Sequence, residues 1–134
     1  MRVIGWSPHL TRERATQAGV ELVESKEEIF RQSDIVSIHM VLSESTQRMI
    51  TAADLSLMKP NAFFINTSRG PLIDEAALID VLQQRKIAGA GLDVYDVEPL
   101  PLEHPLRKLD NVTLSPHTGY VNDTNYEVSQ SSQV

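Results

Sequence analysis

Apolar and polar positions along the chain fall into short strand-type runs that alternate with helical patterns. Val3 to Trp6 reads as a strand stopped by Ser7-Pro8, and Thr11 to Ala18 as a short polar helix. Gly19 ends that helix, as a residue without a Cβ suits the position just past a helix. Val20 to Val23 is a second short strand. Ser25 then opens a helix to about Gln32, with Glu28 three residues on completing a capping box. Asp34 to Ile38 is a strand of the buried type. After a loop through Ser43 to Thr46, Thr51 caps a short helix with Asp54 at the capping-box position, and Lys59-Pro60 ends it. Ala62 to Asn66 is the next strand. Asp74 caps a longer helix in which Ala77, Leu78, Val81 and Leu82 recur at helical spacing. Ile87 to Val94 is a strand, Asp96 to Asp110 a proline-punctuated loop, and Val112 to Leu114 a last strand.

Strand and helix alternating with short connections predict parallel βαβ units in an α/β, doubly wound parallel sheet. The apolar pairs Ile35-Val36 and Phe63-Phe64 fit strands covered on both faces. With 134 residues there is room for one core, and the expected layout is a domain over 1–128 followed by a disordered polar tail, Ser129 to Val134.

Composition narrows the partners. A net charge of −6 leaves no surplus of Lys and Arg for a nucleic-acid backbone, and Glu13 splits the nearest basic pair, Arg12 and Arg14. No apolar run is long enough to cross a bilayer, and the N-terminus lacks the apolar core of a signal peptide. The absence of cysteine removes disulfides and thiolate metal sites. No His-x-x-x-His pair or tight carboxylate cluster suggests a metal, and no Gly-x-Ser-x-Gly elbow suggests a hydrolase. The default is a cytoplasmic protein with a small-molecule ligand, no membrane and no nucleic acid.

Ligands of open α/β sheets bind beyond the C-terminal strand ends. Arg69, Asp93, Glu98 and His117 each follow or end a predicted strand, so they converge on one rim. The guanidinium of Arg69, in Asn66-Thr67-Ser68-Arg69-Gly70-Pro71, offers a planar fork suited to a carboxylate. His117, in Ser115-Pro116-His117-Thr118-Gly119, is the residue type for proton exchange near neutral pH. A carboxylate that fixed its tautomer would strengthen that role. Glu98 is the candidate, and spacing does not exclude Asp96 or Glu103. His9 and His104 have weaker claims.

Asn66-Thr67-Ser68-Arg69-Gly70, Gly91-Leu92-Asp93-Val94, Glu98-Pro99 and Ser115-Pro116-His117-Thr118-Gly119, in that order, resemble the signature series of the D-isomer-specific 2-hydroxyacid dehydrogenases. The resemblance runs from Met1 to about Tyr126 and implies a Rossmann-type NAD(P)-binding domain. It implies an oxidoreductase that transfers a hydride between NAD or NADP and a D-2-hydroxy acid or 2-keto acid. It further implies that Arg69 grips the substrate carboxylate, that His117 is the general acid/base and that Glu98 is its partner. Asp93 would face the nicotinamide side, while Thr67, Ser68, Gly119 and the loop holding His39, Val41 and Thr46 would line the cofactor. A homodimer is the assembly the family implies.

Two departures stand out. The family's first strand and Gly-x-Gly-x-x-Gly turn should precede Val3 and are not in this sequence. Gly89-Ala90-Gly91 lacks the third glycine and lies in a strand, so it is no substitute. The domain is therefore expected to be incomplete, a truncated member whose Met1 is an internal methionine and which turns over weakly or not at all alone. The alternative is a non-catalytic dimerisation or interaction module. The second departure is Ser7, which stands where an acid usually meets the adenosine ribose. With Arg12 nearby, NADP becomes admissible, while the resemblance keeps NAD slightly ahead.

Overall fold

The structure is a computed structural model that describes residues 1–119; the expected tail at 129–134 and the domain end at 128 lie outside the described residues. Six strands and four α-helices alternate: β1 (Ile4–Gly5), α1 (Arg12–Gln17), β2 (Glu21–Leu22), α2 (Lys26–Gln32), β3 (Ile35–Ile38), α3 (Ala52–Leu55), β4 (Phe63–Asn66), α4 (Glu75–Gln83), β5 (Gly89–Leu92) and β6 (Val112–Leu114). All pairings between strands are parallel. The α/β architecture is thus the one that the alternation of patterns predicts.

The strands form two sheets. One pairs β1 with β2, and the other runs β3-β4-β5-β6. Among the described residues no ladder joins β1 to β3; the common doubly wound order places one strand between such a pair. Side chains fasten α2, the helix that connects the two sheets, to the core side of the larger one. Lys26, the first residue of α2, donates to Asp54 Oδ2 at 2.8 Å and to the Met49 carbonyl at 2.7 Å. Phe30 of α2 is sunk in the same apolar core as Phe64, Leu78 and Leu82.

Local chemistry explains the helices. Thr11, Ser25, Thr51 and Asp74 each accept a backbone N–H of the first turn that would otherwise lack a partner. At Thr51 the box is reciprocal, with the Asp54 carboxylate returning to the Thr51 N–H at 2.8 Å. At Ser25 it is not: Glu28 reaches the N–H of Glu24, one residue upstream of the cap. Gly19 sits past α1 at φ +68°, the conformation its position requires. The loop expected over 96–110 contains a 3-10 helix, Pro105–Lys108, capped by the His104 ring. A second 3-10 helix, Gly70–Leu72, follows β4.

One expectation is corrected by burial. α3 and α4 cover the sheet face that carries Val36, Phe64 and Leu92, which are buried. The opposite face is open: Ile35 and Phe63, paired in register on β3 and β4, are 59% and 47% exposed. The apolar pairs Ile35-Val36 and Phe63-Phe64 are therefore not doubly covered among the described residues. Each puts one side chain in the core and one outside it, as strand geometry demands.

Candidate active site

The functional rim forms where β4, β5 and β6 end. After β4, buried Asn66 shapes the turn: its amide donates to the Arg69 carbonyl at 2.9 Å and its Oδ1 accepts the Ser68 N–H at 3.0 Å. Ser68 fastens the same turn to the β3 side through its hydroxyl on the Met40 carbonyl, 2.8 Å away. Arg69 is exposed, with one guanidinium nitrogen 2.6 Å from the Ser68 carbonyl. Next to it, Gly70 presses on the backbone of Tyr95 and Asp96 so closely that an added Cβ would overlap both. That contact brings the arginine turn against the loop that follows β5.

That loop carries Glu98. Its Oε1 accepts the Tyr95 N–H at 3.0 Å, and its Oε2 lies 2.7 Å from His117 Nδ1. Burial raises the Glu98 carboxyl, but the hydrogen bonds from His117 and Tyr95 and the charges of His117 and Arg69 bring it net below the ordinary glutamate range. Ionised, it is an acceptor only, so Nδ1 carries the hydrogen. Of the rivals left open by spacing, Asp96 donates its N–H to Glu75, and Glu103 lies 3.7 Å from Lys108. His104 pairs with Glu75 at 3.1 Å.

His117 has φ +56°, a left-handed backbone that histidine tolerates better than most residues. Asp93 holds it there. Only 4% exposed, its carboxylate accepts the Thr118 N–H at 2.9 Å, the Gly119 N–H at 2.8 Å and the Ser115 hydroxyl. Burial pushes the Asp93 carboxyl up, while those three donors and His117 outweigh it and hold it below the ordinary aspartate range. The acid expected to face the cofactor thus also organises the loop of the histidine. Asn66, Tyr95 and Ser115 were given no role of their own in the sequence: Asn66 holds backbone groups two and three residues on, while Ser115 meets the Asp93 carboxylate and Tyr95 the Ser115 carbonyl across the fold.

The remaining candidates frame this rim or stand apart from it. His39 and Ser37 lie at the end of β3, their side chains 2.9 Å apart. Thr46 closes its loop on the Val41 carbonyl at 2.7 Å, with Val41 itself exposed. Thr67 is exposed beside Ser68. Ser7 belongs to the smaller sheet, where its carbonyl accepts the Leu10 N–H at 3.2 Å in the turn before α1. Gly89 and Gly91 lie inside β5, where a Cβ would meet the Asn111 carbonyl and the tip of Ile65, so packing accounts for them. A cleft of about 540 Å³ opens beside Glu98, between Tyr95, Leu100 and Arg107. Among the described residues no group of three or more His, Asp and Glu could hold a metal ion, and no helix is long and apolar enough to cross a membrane.

Residues 1–119 match the family model described as D-isomer specific 2-hydroxyacid dehydrogenase, NAD binding domain. The chain belongs to this family. As a D-isomer-specific 2-hydroxyacid dehydrogenase domain it is 42% identical over 119 residues to D-3-phosphoglycerate dehydrogenase of Methanocaldococcus jannaschii, covering 89% of this chain and 22% of that protein. The crystal structure of phosphoglycerate oxidoreductase from Vibrio cholerae O395 superposes with a TM-score of 0.88 at 38% identity, over 96% of this chain and 41% of that one. A D-isomer specific 2-hydroxyacid dehydrogenase from Xanthobacter autotrophicus Py2, crystallised with NADPH and MES, matches with a TM-score of 0.68 at 41% identity, over 74% of this chain and 33% of that one. The dehydrogenase domain described here therefore spans well under half the length of each of these relatives.

Proposed function

We propose that this domain forms the cofactor side of an active site that interconverts D-2-hydroxy acids and 2-keto acids, with NAD or NADP as the redox partner. The observation that carries the reading is the 2.7 Å bond from His117 Nδ1 to Glu98, beside the positive charge of Arg69. A bound nicotinamide supplies or accepts the hydride. The donors and loops at the ends of β3, β4 and β6 suit that end of the cofactor: His39, Val41 and Thr46, then Thr67 and Ser68, then Gly119. Asp93 stands behind them. The sequence holds no Gly-x-Gly-x-x-Gly turn, so the chain offers no cradle of that kind for a pyrophosphate. Ser7 brings no carboxylate to repel a 2′-phosphate, which keeps both dinucleotides admissible.

Within this reading Arg69 holds the substrate carboxylate as a bidentate partner and draws electron density from the adjacent carbonyl. His117 donates a proton to the carbonyl oxygen in reduction and takes it back in oxidation. Glu98 stabilises the charged imidazole and keeps its ring turned. Glyoxylate titration followed by NMR at His117 tests the first step. Arg69→Gln is expected to weaken binding about 10- to 100-fold, the worth of one charge-assisted pair. Equal affinities in the two proteins would sink the reading. Turnover of glyoxylate with NADH by the chain alone is expected to stay below detection.

A second reading rests on the sheet face around Ile35 and Phe63 and the edges of β1 and β3, which are open and unpaired among the described residues. Such surfaces suit an interaction or dimerisation module. Size-exclusion chromatography separates the two: oligomers indifferent to NADH, with Trp6 fluorescence unchanged, would favour it.

A further inference from the structure

The loop that carries Glu98 is tied near both ends to the first turn of α4. Glu75, the first residue of that helix, accepts the Asp96 N–H on Oε2 at 3.1 Å. Its other oxygen lies 3.1 Å from His104 Nε2. His104 Nδ1 accepts the Leu106 N–H at 3.3 Å, so this ring carries its hydrogen on Nε2 and turns it toward Glu75. One carboxylate thus bridges two points of the chain eight residues apart, with Glu98 between them. The pair is no surface contact: the Glu75 and His104 side chains are 14% and 18% exposed, so water screens it little. Asp96 feels the same carboxylate, since burial and then the charges of Glu75 and Asp74 raise its carboxyl despite Arg48 and His104.

The free loop would otherwise have many conformations, and only a narrow range brings Glu98 to 2.7 Å from His117. The opposite wall is already fixed, because Asp93 pins the residues on either side of His117. We propose that Glu75 is a positioning residue for the Glu98–His117 pair, holding the Glu98 loop against α4 with His104 as its second anchor. This rests on the reading that the pair exchanges protons. It adds that the geometry of the pair is set from α4, by a side chain that enters no hydrogen bond with Arg69, Glu98 or His117.

The test is the long-range proton–nitrogen NMR spectrum of the imidazoles in the chain itself, where only four histidines have to be assigned. In the wild type, His117 shows a single tautomer with a hydrogen-bonded Nδ1–H. Glu75→Gln keeps the size of the side chain but cannot accept on both atoms. It is expected to lose that Nδ1–H signal and average the two ring nitrogens, with the cooperative melt retained. His104→Asn keeps an oxygen for the Leu106 N–H and drops the link to Glu75; it is expected to give the same change in part, and it decides the matter should Glu75→Gln not fold. A wild-type His117 spectrum in His104→Asn and in any folded Glu75→Gln overturns the proposal. Glu98→Gln separates the two levels: an unaltered His117 spectrum there would undo the underlying reading, whereas an altered one beside unaltered Glu75 and His104 variants would undo the positioning role alone.

Discussion

Asp93 gathers a hydroxyl and two backbone N–H groups from the segment after β6, and Asp54 gathers Lys26 and both donors of Thr51. Burial opposes ionisation at each, yet their partners outweigh it, and both carboxyls sit below the ordinary aspartate range. The unfolded value is about 3.9. The stability these groups contribute is therefore complete above that pH and is lost as the pH falls through their folded values. Urea unfolding followed from pH 7 to pH 3 is expected to show a midpoint that drops steeply below pH 4. Asp93→Asn and Asp54→Asn should each cost about 1–3 kcal/mol at pH 7 and flatten that drop; curves parallel to the wild type would contradict the assignment. Residue type and position at strand ends singled out Arg69, Glu98 and His117 as candidates in the sequence. What Asp93 does was not legible there, because two of its three donors are main-chain groups 25 and 26 residues away. The choice of Glu98 over Asp96 and Glu103 likewise needed the path of the loop.

Helices were the most legible elements, since their caps are decided within four residues: Thr51 with Asp54 and Asp74 with Ala77 are local pairs. The 3-10 helix Pro105–Lys108 was hidden because its proline reads as loop and its cap is a histidine ring. Strands β1 and β2 shrink to two residues each, having only one another to pair with among the described residues. Gly70 shows how one element positions another. A methyl group there would run into the main chain of Tyr95 and Asp96, which cannot swing aside as a side-chain tip can. Gly70→Ala is expected to destabilise by about 3 kcal/mol in chemical denaturation. Gly19→Ala has open space around it and only a left-handed backbone to accommodate, which sets its cost at about 1–2 kcal/mol. Equal losses in the two would mean that the turn after β4 yields more readily than its packing indicates.

At the scale of the molecule, one face of the larger sheet carries the core and the other lies open among the described residues. Phe64 is fully buried under α4, while its neighbour Phe63 is half exposed on the open face. Phe64→Ala should cost about 3–5 kcal/mol. Phe63→Thr should change stability by less than about 0.5 kcal/mol in the monomer; a larger loss would reveal that something covers that face in solution. The pattern of the sequence could not separate the two phenylalanines, because strand alternation tells which residues share a face but not which face is covered. The separation of β1-β2 from β3-β6 was legible, since it falls where the first strand of the doubly wound order, not found in this sequence, would pair. It has a mechanical consequence. Ser7 travels with the smaller sheet and the Glu98–His117 pair with the larger, and Arg2, which donates to Glu21 of β2 and to Gln32 of α2, is among the side chains that tie the small sheet to the helix between them. The small sheet should therefore breathe on its own, with amide exchange in residues 1–25 outpacing that of β3 to β6. A ligand long enough to grip both rims would act as a brace between two plates, slowing exchange in the smaller plate far more than in the larger.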